Sequence, residues 1–163
     1  MLPSDHFVKF YNEVFKFFDK QNNGALEKYY QLVSKNQEFH CFDLFREKGL
    51  AGMYEYWEHI RIEENCEMVN VLEDNCYHCI MFLCPSLSKI MDNDAGSCLK
   101  YCDHCPGWIM PLMTKAGFFA VYNIIDRQKP QCEFFVFQDR SAAEKKREDL
   151  LSVYSEDVIR CNF

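Results

Sequence analysis

The chain has 163 residues, about the length of one domain, and its 48% hydrophobic and 16% aromatic content is enough to bury a core without covalent staples. A net charge of −7 repels phosphate backbones and argues against nucleic acid as a partner. No stretch approaches the ~18 uncharged apolar residues of a membrane span, and the first twenty residues do not read as a secretory leader, so the expected location is cytoplasmic and the ten cysteines are expected as thiols or ligands rather than disulfides.

Over residues 4–20, Phe7, Phe10, Tyr11, Val14, Phe17 and Phe18 recur at three- and four-residue steps, which predicts an amphipathic helix with those side chains as its buried stripe. Ser4 or Asp5 can cap its start, and QNNG at 21–24 supplies turn chemistry at its end. A second helix is expected over 25–38 with Leu26, Tyr29, Tyr30 and Val33 inward. A third unit, FDLFREKG, stops at Gly49, and a fourth runs over about 50–64 with Met53, Tyr56, Trp57 and Ile60 on one side. The period then changes. CEMVNVLED at 66–74 alternates as a strand does, while YHCIMFLC at 77–84 is an apolar run that periodicity alone assigns to neither strand nor helix. FFAVYNIID at 118–126 and CEFFVF at 132–137, joined by a polar turn with Pro130, predict an antiparallel hairpin. Residues 139–154 predict a helix with Ser141 and Glu144 as its capping box; its KKR cluster, flanked by Glu144, Glu148 and Asp149, reads as a solvated face. The expected architecture is a single α+β domain over 1–163. Mainly helical residues 1–65 pack on a small antiparallel sheet within 66–138, and a C-terminal helix covers 139–154.

Two tetrapeptides, CYHC at 76–79 and CDHC at 102–105, repeat a Cys-x2-Cys spacing with a histidine against the second cysteine. As a metal site, Cys76, Cys79, Cys102 and Cys105 form two pairs that could close a tetrahedron around Zn2+, and such a closed site would suit a non-catalytic or sensing domain. The surroundings are more apolar than a zinc ribbon usually carries. Cys98, Cys102 and Cys105 also have the spacing of an iron–sulfur cradle, but the chain is too short for the barrel those enzymes use. As thiol chemistry, Cys105 precedes Pro106, a favoured first residue of a helix, whose amino end favours a thiolate and a developing anion. Cys102 or Cys105 is then the nucleophile, His104 or His78 the base, and Asp103 the group that orients a histidine. A helix starting nearer Pro111 would leave Cys105 outside that field. A redox pair is the third option, although the βαβ setting usual for one is missing.

Simple packing is the expectation for Cys41, Cys66, Cys84 and Cys161, since free cysteine is among the most buried residue types. Cys132 is expected to pack inward from its strand, His6, His40 and His59 to lie at the surface, and Trp57 and Trp108 to sit in the core.

The cysteines also carry a resemblance. NCYHC, then YCDHC, then a closing hairpin YNIIDRQKPQCEFFVF resembles the L-2-amino-thiazoline-4-carboxylic acid hydrolase-like family of small bacterial and archaeal proteins, over about residues 66–138. Its early Cys, central Cys-Asp and late Cys-acid-Phe correspond to Cys76, to Cys102 with Asp103, and to Cys132 with Glu133 and Phe134. The resemblance implies an α+β fold, hydrolysis of a C–N bond in a small cyclic amidine or amide, and a pocket gathering Cys76, Cys102 and Cys132. The chain departs from the pattern in its extra cysteines at 79, 98 and 105, which leave room for a metal. The partner expected on this reading is a small-molecule substrate, with no nucleic acid, no membrane, and self-association left open.

Overall fold

A computed structural model describes residues 3–92 and 95–163. Among the described residues there are five α-helices and a five-stranded antiparallel sheet, so the α+β expectation holds. The first helix, α1 (Pro3–Lys20), begins ahead of Ser4 and Asp5, which therefore lie inside its first turn instead of capping it. Its buried face is also rotated from the expected stripe. Phe15 and Asn12 are fully buried and Tyr11 and Phe18 half-buried, while Phe7, Phe10 and Phe17 are exposed. The reason is a polar anchor: Asn12 donates to the Gly96 carbonyl at 2.9 Å and accepts from the Cys98 amide at 2.8 Å, so that face must turn inward.

The second helix, α2 (Ala25–Glu63), joins all three units expected between 25 and 64, but it is not straight. Gly49 has φ 59° and ψ −135°, a backbone conformation that glycine adopts readily, and the helix breaks there. The two arms come together just beyond: a Cβ on Gly52 would lie 2.5 Å from the Leu44 carbonyl oxygen. That close approach requires glycine.

Strands β1 (Glu67–Leu72) and β2 (Cys76–Leu83) form one hairpin, so the ambiguous apolar run is a strand. Helix α3 (Pro85–Met91) follows, capped by the Cys84 sulfur, which accepts from the Leu87 amide. A 3-10 turn (Tyr101–Asp103) leads into α4 (His104–Ala116), which contains Pro111 without ending there. The expected second hairpin is β3 (Phe119–Asp126) with β4 (Gln131–Phe137). Helix α5 (Arg140–Leu151) is capped by Asp139, which accepts from the Ala142 amide at 3.0 Å; Ser141 donates to that cap, and Glu144 pairs with Arg140 instead of closing a capping box. A short β5 (Ile159–Cys161) completes the sheet order β1-β2-β4-β3-β5.

Period-two alternation sends the sheet's side chains to two cores. Tyr77, Cys79, Ala120, Tyr122, Phe134 and Val136 face the second arm of α2 and α4. Cys76, Val121, Phe135 and Phe137 face α5. A third cluster, built on Phe15, Tyr30, Ile90 and Tyr101, packs α1, α3 and the first arm of α2 together. No described helix is long and apolar enough to cross a membrane.

Candidate functional site

Helix α4 starts two residues before Pro106, so His104 and Cys105 occupy its first turn. His104 is buried, and its Nδ1 meets the Tyr101 carbonyl one turn back. A carbonyl only accepts, so Nδ1 carries the hydrogen and Nε2 is left as an acceptor. Nε2 lies 3.2 Å from Cys105 Sγ. The two neighbours thus form a thiol–imidazole dyad, with the imidazole fixed by backbone and by ring packing against Phe15, Tyr101 and Trp108.

Both members are neutral in the resting protein. Burial lowers His104 to about 4, against the smaller opposing effects of the Tyr101 carbonyl and Asp103. Burial raises Cys105 to about 11, with the Tyr122 hydroxyl as the smaller, opposing influence. The helix amino end favours a thiolate, but at this depth desolvation outweighs it.

Cys105 sits between two cavities. On the sheet side is a space of about 20 Å3 lined by Cys84, Cys102, Cys105, Cys132, His104 and Tyr122, among others. There Tyr122 donates to Cys132 Sγ at 3.0 Å. Burial pushes Cys102 up to about 12, Cys84 to about 11, and Cys132 well above the ordinary thiol range. On the helix side is a cavity of about 100 Å3 between the two arms of α2 and α4, where Cys105 and Trp108 face Cys41, Phe45, Tyr56 and Trp57. A concavity of about 380 Å3 lies on the other flank of α4 and holds paired charges, Arg160 with Asp103 and Lys100 with Glu27, but not the dyad.

The remaining predicted residues are dispersed. Asp103 does not orient a histidine. Its carboxylate is bound by both Arg127 nitrogens at 3.2 Å and by Arg160 at 2.9 Å. His78 is not a base for either thiol of the second motif, because it projects from the α5 face. There its Nε2 meets Glu133 at 3.3 Å and its ring stacks on Phe135 at 3.9 Å. Asn123 donates to the other Glu133 oxygen at 2.9 Å. Burial opposes ionisation of Glu133, but the hydrogen bonds from His78 and Asn123 win and hold it below the usual carboxylate range.

The four cysteines of the zinc reading are not gathered at one point. Cys76 packs on the α5 face and Cys79 on the α4 face of the same strand, so their sulfurs cannot share an ion with Cys102 and Cys105. Among the described residues no group of three or more His, Cys, Asp or Glu is arranged to hold a metal ion. The implied grouping of Cys76, Cys102 and Cys132 is corrected too: Cys102 and Cys132 line the small cavity and Cys76 does not. Cys84 and Trp108, read as packing residues, both line cavities beside Cys105. Tyr122 gave no signal beyond its place in the strand expected over 118–126, and the Tyr101 carbonyl leaves no side-chain signal at all. Comparison with family models, curated proteins and solved structures finds no match to this chain.

Proposed function

We propose that the protein is a small-molecule hydrolase acting on a C–N bond of amide or amidine type, with Cys105 as nucleophile and His104 as general base. The observation that carries this reading is the 3.2 Å contact of Cys105 Sγ with His104 Nε2, on an imidazole whose other nitrogen is held by the Tyr101 carbonyl. Nucleophile, base and orienting acceptor stand in the order that covalent catalysis needs. The resemblance to the thiazoline carboxylate hydrolase-like family supports the same reaction class, with Cys102 and Cys132 beside the dyad.

A thiol near 11 and an imidazole near 4 do not form an ion pair at rest. The proton therefore moves as the C–S bond forms: sulfur adds to the electrophilic carbon and His104 Nε2 takes the thiol proton. Collapse breaks the C–N bond, and His104 returns the proton to the departing nitrogen. Water then attacks the thioester or thioimidate, giving its proton to His104, and the sulfur leaves and recovers that proton. The first-turn position of Cys105 favours the negative charge that develops at each addition.

Acyl transfer from propionamide to hydroxylamine, read as the ferric hydroxamate, tests this. The native chain should form hydroxamate, and Cys105→Ala should form none. His104→Gln should be slower by about 10²–10⁴, the usual range for a general base, and Cys76→Ala should match the native chain. Equal rates for Cys105→Ala and the native chain, or no hydroxamate from propionamide, acetamide and 2-pyrrolidone alike, would overturn the reading.

A further inference from the structure

The cavity between α2 and α4 combines three features. It opens on Cys105, while His104 lines the small cavity and not this one. None of its ten lining residues carries a formal charge, and most are aromatic or aliphatic. Trp108, one of those ten, has a buried indole N–H without a hydrogen-bond partner. Buried donors are satisfied in nearly all native proteins, so an orphan beside a nucleophile and an apolar cavity points to an acceptor that arrives with a ligand.

We infer that this cavity is a binding site for a small, uncharged, mostly apolar amide or amidine, whose acceptor atom takes the Trp108 indole N–H while its electrophilic carbon lies against Cys105. The inference deepens the hydrolase reading and rests on it for the chemistry, though not for the binding. Size sets the class: an apolar cavity of ~150 Å3 takes the six carbons of benzene, so one of 100 Å3 takes a compound no larger than that, with at most about six non-hydrogen atoms. Charge sets it further. A carboxylate would find no cation among the lining residues and would lose its hydration without replacement. The substrate is thus unlike the carboxylic acid for which the resembling family is named. The second cavity, at about 20 Å3, has room for one water beside His104.

The test uses protein labelled with 15N at tryptophan, titrated with 2-pyrrolidone, propionamide and, as a charged match in size, propionate. The two neutral compounds should shift the Trp108 indole N–H signal, assigned by its loss in Trp108→Phe, and propionate should not. Trp108→Phe should bind 2-pyrrolidone about tenfold more weakly, the value of one ordinary hydrogen bond. Saturating 2-pyrrolidone should also protect Cys105 from acrylamide. That reagent adds through its terminal alkene carbon, and the thiol proton ends on the carbon beside the carbonyl. Propionate binding as well as propionamide, or an unmoved Trp108 signal with Cys105 unprotected, would overturn the inference. Binding without hydroxamate formation would leave this site standing and remove the hydrolase reading. Hydroxamate formation through Cys105 with no response at Trp108 would do the reverse.

Discussion

Cys105 is a proposed nucleophile whose thiol is held protonated, and this has a measurable consequence. An ordinary thiol near 8.5 is about 3% thiolate at pH 7, whereas one near 11 is about 0.01% thiolate, a ratio of ~300. Alkylation of native Cys105 by a small neutral reagent should therefore run about 300-fold slower at pH 7 than in the urea-unfolded chain. The native rate should climb about tenfold per pH unit, without levelling off below pH 10. Acrylamide is the reagent, and peptide mass spectrometry separates Cys105 from the other nine cysteines. Circular dichroism at each pH confirms that the fold is intact. A native rate within tenfold of the unfolded control at pH 7, levelling off below pH 9, would mean a preformed thiolate. It would refute the argument that burial outweighs the helix amino end. The same argument limits what His104 does at rest. A neutral imidazole is not a charge partner, so His104→Gln should leave the alkylation midpoint within about one pH unit of native while slowing turnover.

His104 also links stability to acid. Burial depresses its folded value to about 4 against ~6.5 unfolded, so below 6.5 the unfolded chain binds the extra proton and native stability falls as pH drops toward 4. The loss amounts to about 3 kcal/mol at its full extent, and urea melts at pH 7 and pH 4.5 should show that His104→Gln lacks this part of the slope. Asp103→Asn removes the shared carboxylate of Arg127 and Arg160, all partly solvated, and should cost about 1 kcal/mol in a thermal melt. It should leave hydroxamate formation by Cys105 unchanged, which a role in orienting His104 would not. Gly52→Ala drives a methyl into the Leu44 carbonyl at 2.5 Å and should cost about 1–3 kcal/mol, read from the urea midpoint. Protein purified without chelator should carry less than one zinc in ten chains by elemental analysis, and one zinc per chain would restore a metal reading.

What was legible in the chain was what local chemistry decides. The 3.6-residue and two-residue periods identified α1, the arms of α2, β1, both strands of the second hairpin and α5. Gly49 was legible as the end of a helical unit, and its backbone there has a positive φ. What was not legible depends on distant partners. Three phenylalanines of α1 were assigned inward by hydrophobicity alone, yet the hydrogen bonds of Asn12 to a segment more than eighty residues away set the helix rotation. Ser141 offered a capping box, but Asp139 stands two residues earlier with a carboxylate and takes the cap. His104 and Cys105 were recognisable as a pair in the sequence. Their orienting group was not, because a backbone carbonyl has no residue type.

The repeated tetrapeptide shows why equal spacing need not mean equal function. In CDHC the chain coils, and positions 102 and 105, three apart, return to one side of the helix start, where both line the small cavity. In CYHC the chain is a strand of period two, and positions 76 and 79, also three apart, leave it on opposite faces. Histidine follows the same rule. His78, two residues after Cys76, shares that cysteine's face and meets Glu133 across the neighbouring strand. His104, one residue before Cys105, can reach that thiol only because the helical turn folds the two side chains together. A pair of cysteines three apart can thus close on a shared centre from a helix or a tight turn, and an extended strand prevents it. The secondary structure beneath the spacing carries the chemical information, and here it brings thiol and imidazole together in the second tetrapeptide but not in the first.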